Sequence, residues 1–402
     1  MQSALAIMPD QETADEKSAS TSSEMEYFRS RLGLDPTVEW LRDVKASGRK
    51  VIGVLGWGVP LEIVLASGAV PVQLFGAWED ANSARRKLPR DTCPLAASSF
   101  AGADVLSRGG LLDAVVVPGT CDWKRKLAEL LAQITTVLTL QPPFPGSPSS
   151  PEKELKNFAR DVALVTDLPL TAGNLRSASV EPAAANEALA GLQRLRQHPS
   201  CALSGSDALA VEQAFMRDDL SRWMEHCRSL VRSLEQEWDT GGGSGAEFAP
   251  RILLVGSPVI WRQRSLVHLI EEAGGEVVGE DFHSCLSHLY LSAFSSSRSS
   301  AGLPALAARW ARTCFCSLVG GEDESFILRA IEHFGVDGVI GHTYRSCARL
   351  QMRMPDFLRR LSEKGIPCLA LETADDPSET GRLLARIEPF VEMLNARRRA
   401  GV

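Results

Sequence analysis

The chain has 402 residues, of which 44% are apolar and 23% are charged, and its formal net charge is −7. This length suits roughly two to three domains, and the composition is that of a folded globular protein, which excludes fibrous and wholly disordered chains. The excess of 50 Asp and Glu over 43 Lys and Arg argues against a nucleic-acid binder, because binding to phosphates needs an excess of cations. No apolar run approaches the roughly 20 residues that cross a bilayer, so no membrane span is predicted.

Residues 1–24 form an acidic stretch without the charged start and long apolar segment of an export signal. We interpret them as a flexible tail, and we expect the chain to be cytoplasmic. A reducing cytosol keeps cysteines as thiols, so the nine cysteines are available for metal or redox chemistry. The function is therefore sought first among these cysteines.

The first half of the chain predicts short buried strands that alternate with helices. Apolar runs typical of strands buried on both faces occur at 51–55, 71–75, 113–117 and 136–140. Helices are predicted over 60–67, from residue 94, and over 123–131. This alternation indicates a parallel sheet wrapped by helices, because parallel strands require crossover connections.

The second half repeats the pattern after a helical middle. A Pro- and Ser-rich connector leads from residue 141 into amphipathic helices that end near 239, with a break near 167–169 and a glycine-rich junction at 241–245. Further strands are predicted at 251–256, from 277, at 337–341 and at 365–371, with helices at 266–273 and 379–395. We therefore predict an α/β fold of two Rossmann-like parallel-sheet units with helices on both faces, joined by a helical segment.

The predicted domain divisions follow from these connectors. They are a tail at 1–24, an N-terminal α/β domain at 25–150, a helical linker region at 151–245 and a C-terminal α/β domain at 246–402.

Three cysteines occupy comparable positions in this pattern. Cys121 follows the strand at 113–117, Cys347 follows the strand at 337–341, and Cys93 starts a predicted helix. Ligands gather at the carboxyl ends of parallel strands, so these thiols are expected to meet in one crevice. A helix N-terminus also favours the thiolate. Thiolates select iron–sulfur clusters or zinc, whereas the alternative is that these are unrelated buried thiols.

Further cysteines give less distinct signals. Cys285 follows the strand that begins at 277, and Cys314 and Cys316 could place two sulfurs on one side of an extended segment. Cys227 within a helix and Cys368 within a strand are predicted to be packing residues.

Two other side chains are weak catalytic candidates. Glu62 lies one turn into the first helix, where the alternative is a solvated helix face. His342 lies five residues before Cys347, where the alternative is a hydrogen-bonded histidine in the core. Phosphate-binding and hydrolase motifs give no competing site, because the chain has neither a P-loop nor the G-x-S-x-G and H-E-x-x-H patterns. We therefore expect that the chain does not itself hydrolyse ATP.

Short motifs in a fixed order span residues 48–395. They lie at 59–63, 66–72, 92–94, 113–122, 270–278, 337–340 with the following Cys347, 365–367, 371–373 and 386–392. Through their order and spacing the chain resembles the 2-hydroxyacyl-CoA dehydratase D-component family, which also contains benzoyl-CoA reductase subunits.

The resemblance implies that Cys93, Cys121 and Cys347 bind a [4Fe-4S] cluster, which would make 25–150 a cluster-binding domain. It also implies a radical elimination of water from an acyl-CoA substrate. In that chemistry, a low-potential electron converts the thioester carbonyl to a ketyl radical, which expels the hydroxyl and makes the β-proton acidic. The electron comes from a separate ATP-dependent iron–sulfur activator, and the expected subunit partner is a paralogous chain or a second copy.

Several alternatives remain open at this point. Cys285, Cys314 and Cys316, as possible second-cluster ligands, resemble a related branch that holds a double cubane and acts as a small-molecule reductase. A benzoyl-CoA reductase-like activity, a non-catalytic electron-relay subunit and a structural zinc protein are the others.

Overall fold

The computed structural model describes residues 21, 23–56, 58–75, 87–89, 91–143, 149–199, 201–239, 249–261, 265–282, 302–313, 324–374 and 376–401. Two four-stranded sheets, each with all its strands parallel, organise this part of the chain. The predicted α/β class with two parallel-sheet units is thereby confirmed. No helix within the described ranges is long and apolar enough to cross a membrane.

The first sheet has the strand order β2-β1-β3-β4. Its strands are β1 (Val51–Val54), β2 (Val70–Gln73), β3 (Ala114–Pro118) and β4 (Val137–Leu140). Its helices are α1 (Leu34–Ala46), α2 (Leu61–Ala66), α3 (Pro94–Arg108) and α4 (Asp122–Leu131). Along β3, Val115 and Val117 belong to one apolar cluster, whereas Ala114 and Val116 belong to another. Burial on both faces explains why these strands are continuous apolar runs.

A bundle of helices connects the two sheets. It consists of α5 (Pro151–Thr166), α6 (Ala172–Ala178), α7 (Val180–Leu195), α8 (Gly205–Ala214) and α9 (Leu220–Asp239). The predicted break occurs at the end of α5, where Asp167 adopts a left-handed φ of 58°. The buried Trp223 of α9 donates its indole N–H to the carbonyl of Val211 at 3.0 Å, which ties α9 to α8.

The second sheet repeats the strand order of the first, as β6-β5-β7-β8. Its strands are β5 (Arg251–Gly256), β6 (Glu276–Phe282), β7 (Gly338–Tyr344) and β8 (Cys368–Thr373). The helices of this part are α10 (Leu266–Glu272), α11 (Leu303–Thr313), α12 (Glu324–Phe334), α13 (Ala348–Glu363) and α14 (Thr380–Ala400), with a 3₁₀ turn at Pro377–Glu379. Strand β7 therefore occupies the place in its sheet that β3 occupies in the first.

Helix α11 returns to the first sheet although it follows β6 in the chain. Leu306, Ala307 and Trp310 belong to the same apolar cluster as residues of β1, α2 and α5. The indole N–H of Trp310 donates to the carbonyl of Gly58 at 2.7 Å. The C-terminal part of the chain thus contributes to the core of the first unit.

A buried ion pair fixes the helical bundle to the second sheet. Arg196, just after α7, makes two hydrogen bonds of 2.9 Å to the carboxylate of Glu280 on β6, and a third of 2.7 Å to the carbonyl of Val277. Arg251 of β5 donates to the carbonyl of Arg196 at 2.7 Å. Both members of the Arg196–Glu280 pair are buried, so each charge depends on the other for compensation.

Candidate functional site

Three cysteines line one cavity between the two halves of the chain. Cys93, Cys121 and Cys347 immediately precede α3, α4 and α13, and none of these helices has a side-chain capping hydrogen bond at that residue. All three are half-buried free thiols, and the cavity that they line has a volume of about 120 Å³. We call this space the thiol cavity. The structure therefore brings together the three cysteines that the sequence singled out.

Equivalent strands deliver two of these thiols. Cys121 lies three residues beyond the end of β3 at Pro118, and Cys347 lies three residues beyond the end of β7 at Tyr344. Because β3 and β7 hold the same place in their sheets, the carboxyl ends of both sheets meet at the cavity. Ligand sites of parallel α/β folds lie at this edge.

Two reciprocal hydrogen bonds join the halves beside these cysteines. The indole N–H of Trp123, two residues after Cys121, donates to the carbonyl of Ser346 at 3.0 Å. Arg349, two residues after Cys347, donates to the carbonyl of Thr120 at 3.0 Å. Each bond thus runs from the helix that follows one cysteine to the residue that precedes the other. We call the pair the reciprocal clamp.

The opposite wall of the cavity is formed by the loop after β5. Gly256 adopts φ +111°, and an added Cβ would lie 2.3 Å from the carbonyl oxygen of His342, so only glycine fits there. The N–H of Ser257 donates to that same carbonyl at 2.8 Å, and the Ser257 hydroxyl accepts from the N–H of Tyr344 at 3.1 Å. The Tyr344 hydroxyl donates to the carbonyl of Pro258 at 2.8 Å. Strand β7 therefore holds this wall in place.

Burial governs the charge of the thiols in the metal-free chain. It raises the pKa of the Cys93 thiol to about 12, with smaller contributions in the same direction from Cys121 and Cys347. Burial also raises the pKa of Cys347, and Cys121 adds to the effect. The expectation that helix N-termini favour the thiolate is therefore wrong for Cys93 and Cys347, because loss of hydration outweighs the helix dipole. A bound metal would have to displace these protons.

A lysine provides a positive charge beside the thiols. Lys124 lies in the first turn of α4, lines the cavity and is half-buried, and its amino nitrogen would be 3.3 Å from a Cβ added at Gly56. Burial lowers the pKa of Lys124, whereas the charges of Cys121 and Cys93 act in the opposite direction. The described residues include no carboxylate that forms an ion pair with Lys124, so its charge is directed to the thiols.

Neither weak catalytic candidate lines the thiol cavity. Glu62 forms an ion pair with Arg309 of α11. His342 is buried, its Nδ1 contacts the carbonyl of Ser257 at 2.8 Å, and its Nε2 contacts the hydroxyl of Thr373 at 2.8 Å. Because a carbonyl only accepts, Nδ1 carries the proton and Nε2 accepts from Thr373. His342 thus positions the loop after β5 through Ser257.

The remaining cysteines lie away from the cavity or outside the described residues. Cys227 is fully buried on α9, which confirms that it packs in the core, and Cys368 starts β8 and packs on a neighbouring apolar cluster. Cys285, Cys314 and Cys316 lie outside the described residues.

A single metal ion finds no ready set of ligands. In the described part of the chain, no three His, Cys, Asp or Glu side chains are close enough together to ligate one ion. A cubane needs a wider arrangement, because its cysteines bind iron atoms at separate corners.

Sequence reasoning missed several residues of the site. Thr120, Trp123, Lys124 and Arg349 all line the thiol cavity, yet only the cysteines were singled out. The available signal was their spacing, since Trp123 and Arg349 each come two residues after a cysteine that follows a strand.

We expect His342 to make the stability of the fold sensitive to acid. Burial lowers the pKa of His342 from 6.5 to about 4, with a smaller opposing contribution from the charge of Glu379. The neutral ring is therefore the native form, and protonation of the unfolded chain below pH 6.5 favours unfolding. Between pH 7 and pH 4 this linkage should lower the free energy of unfolding by about 3 kcal/mol.

Urea unfolding of wild type and His342→Gln across this pH range measures the effect. The variant should lose less stability on acidification than the wild type, whereas the exposed control His268→Gln should follow the wild type. Parallel curves for wild type and His342→Gln would contradict the assignment.

Comparison with known proteins agrees with this geometry. The chain matches the family model described as 2-hydroxyglutaryl-CoA dehydratase, D-component, over residues 56–394. YjiM, a proposed dehydratase subunit of Escherichia coli (strain K12), is 29% identical over 364 residues, which cover 88% of this chain and 93% of that protein. The matched range includes every residue named above as lining the thiol cavity. The chain therefore belongs to the 2-hydroxyglutaryl-CoA dehydratase D-component family.

Proposed function

We propose that the chain is the iron–sulfur subunit of a 2-hydroxyacyl-CoA dehydratase-type radical enzyme, with a [4Fe-4S] cluster held by Cys93, Cys121 and Cys347. The observation that carries this proposal is the convergence of three free thiols, from both halves of the chain, on one cavity. Three protein ligands leave one iron of a cubane without a protein ligand, as catalytic metal sites keep an open position.

The cavity is suited to an anionic cluster. Three helix N-termini begin at the thiols, and the partial positive charge of each stabilises a negative group. Lys124 and Arg349 add two cations to the lining. When bound, the cluster would supply a low-potential electron and a Lewis-acidic iron for an oxygen of the substrate. The chain itself would hold the ligands, limit the access of water and balance the negative charge.

The substrate class and the partners rest on the family. Membership supports a 2-hydroxyacyl-CoA thioester as the substrate and elimination of water as the reaction. A D-component is one component of a larger enzyme, and the relative YjiM is likewise described as a subunit. We therefore propose two partners, which are a paralogous subunit or second copy and a separate ATP-dependent iron–sulfur activator.

An electron-relay subunit is the second candidate function. The charged residues in the described lining of the cavity are Lys124 and Arg349, which are both cations. Cations suit the holding of an anionic cluster better than the acceptance of the β-proton. In this alternative, the chain passes an electron to a paralogous subunit that carries out the elimination.

Iron content tests the proposed ligands. Anaerobic reconstitution with ferrous iron and sulfide should load about four irons per chain, as one cubane requires. Cys93→Ser, Cys121→Ser and Cys347→Ser should each lose more than half of this iron, because a serine oxygen replaces a soft thiolate. Cys368→Ser is the matched control, since Cys368 is also a half-buried free thiol but lies outside the cavity.

The iron count also separates the alternatives. Fewer than about three irons per wild-type chain would exclude even one cubane. About eight irons would indicate a double cubane, and replacement of Cys285 and Cys316 should then remove half of them. Stoichiometric zinc in a colourless protein would refute the cluster.

Turnover distinguishes the dehydratase from the relay. The purified chain is incubated anaerobically with activator, ATP and a 2-hydroxyacyl-CoA, and formation of the enoyl-CoA is followed with and without the paralogous subunit. The dehydratase assignment predicts product that is lost in Cys121→Ser. Reduction of the chain without product until the subunit is added would favour the relay. Absence of both reduction and product in the complete system would contradict the two candidates together.

A further inference from the structure

Two of the three thiols in the cavity are preceded by a hydroxyl that has no hydrogen-bond partner. Thr120 precedes Cys121 and Ser346 precedes Cys347, and their buried Oγ1 and Oγ atoms are unpaired among the described residues. Thr120 is only 3% exposed and lines the thiol cavity. Buried hydroxyls in folded proteins almost always have a partner, because an unmade hydrogen bond costs free energy. The missing partner is therefore expected in the cavity itself.

The backbone around these hydroxyls is already committed. The N–H of Thr120 donates to the carbonyl of Pro118 at 2.8 Å, and its carbonyl accepts from Arg349. The carbonyl of Ser346 accepts from Trp123. The reciprocal clamp thus holds both residues, so neither is free to move towards another acceptor.

The third cysteine of the cavity provides a contrast. Thr92 precedes Cys93, and its hydroxyl donates to the carbonyl of Pro89 at 2.6 Å. All three cysteines therefore follow a hydroxyl residue, but only the two at equivalent strand ends leave that hydroxyl unsatisfied.

We propose that Thr120 and Ser346 each donate a hydrogen bond to a sulfur of the cluster held by the three thiols. This inference rests on the proposed function. Each hydroxyl residue is adjacent in sequence to a ligand cysteine, so it lies next to the sulfurs around that ligand. The iron that has no protein ligand, where a substrate would bind, faces away from the three cysteines.

These hydrogen bonds have a definite electrochemical consequence. A reduced cluster carries one more negative charge than the oxidised cluster, so a donor at its sulfurs favours the reduced form. Hydrogen bonds to the sulfurs are among the factors that set cluster potentials. Thr120 and Ser346 are positioning residues that raise the reduction potential and make the electron from the activator easier to accept.

A redox titration followed by electron paramagnetic resonance tests the inference on the anaerobically reconstituted full-length chain. Thr120→Val and Ser346→Ala should each shift the reduction equilibrium towards the oxidised cluster roughly tenfold, which is about 59 mV for one electron. Thr120→Ser should restore the wild-type potential because it keeps the hydroxyl. Thr92→Val is the matched control, and its potential should equal that of the wild type.

Each other outcome has a distinct meaning. Wild-type potentials in both Thr120→Val and Ser346→Ala, at unchanged iron content, would overturn the inference. Weaker substrate binding in Thr120→Val without a change in potential would assign the hydroxyl to the substrate and would also overturn it. Absence of a cluster in the wild type would instead refute the proposed function. If Thr120→Val fails to load iron, Ser346→Ala alone decides the inference.

Discussion

The whole site depends on how the two halves of the chain are joined, and the reciprocal clamp is the contact that joins them beside the thiols. Trp123 and Arg349 start from equivalent positions in two helices, and each donates to the backbone just before the opposite cysteine. Hydrogen bonds between a side chain and a buried carbonyl fix both distance and direction. The clamp therefore sets Cys121 and Cys347 relative to each other, which neither sheet alone could do.

Charge is the second constraint on the cavity. Burial keeps the Cys93 and Cys347 thiols protonated in the metal-free chain, so the cavity does not hold exposed negative charge before a metal binds. Lys124 and three helix N-termini stand ready to balance the charge that thiolates and a cluster would bring. The rigid wall after β5, positioned by His342, closes the opposite side. The same burial that makes the free thiols weak acids would protect a bound cluster from water.

The sequence predicted the strands well, because their burial on both faces leaves uninterrupted apolar runs. The convergence of three cysteines was also predictable, since parallel strands present their carboxyl ends at one edge. The return of α11 to the first sheet was not, because an amphipathic pattern shows that a face is buried but not which neighbour covers it. The unpaired hydroxyl of Thr120 was equally hidden, since pairing depends on residues more than two hundred positions away.

The most direct test of the central claim is the position of iron itself. Anaerobically reconstituted crystals, measured at the iron absorption edge, would show where anomalous scattering lies. The account predicts one compact group of iron atoms between Cys93, Cys121 and Cys347, with one iron that has no cysteine ligand. Iron bound elsewhere, or three separate thiols with no iron between them, would contradict it.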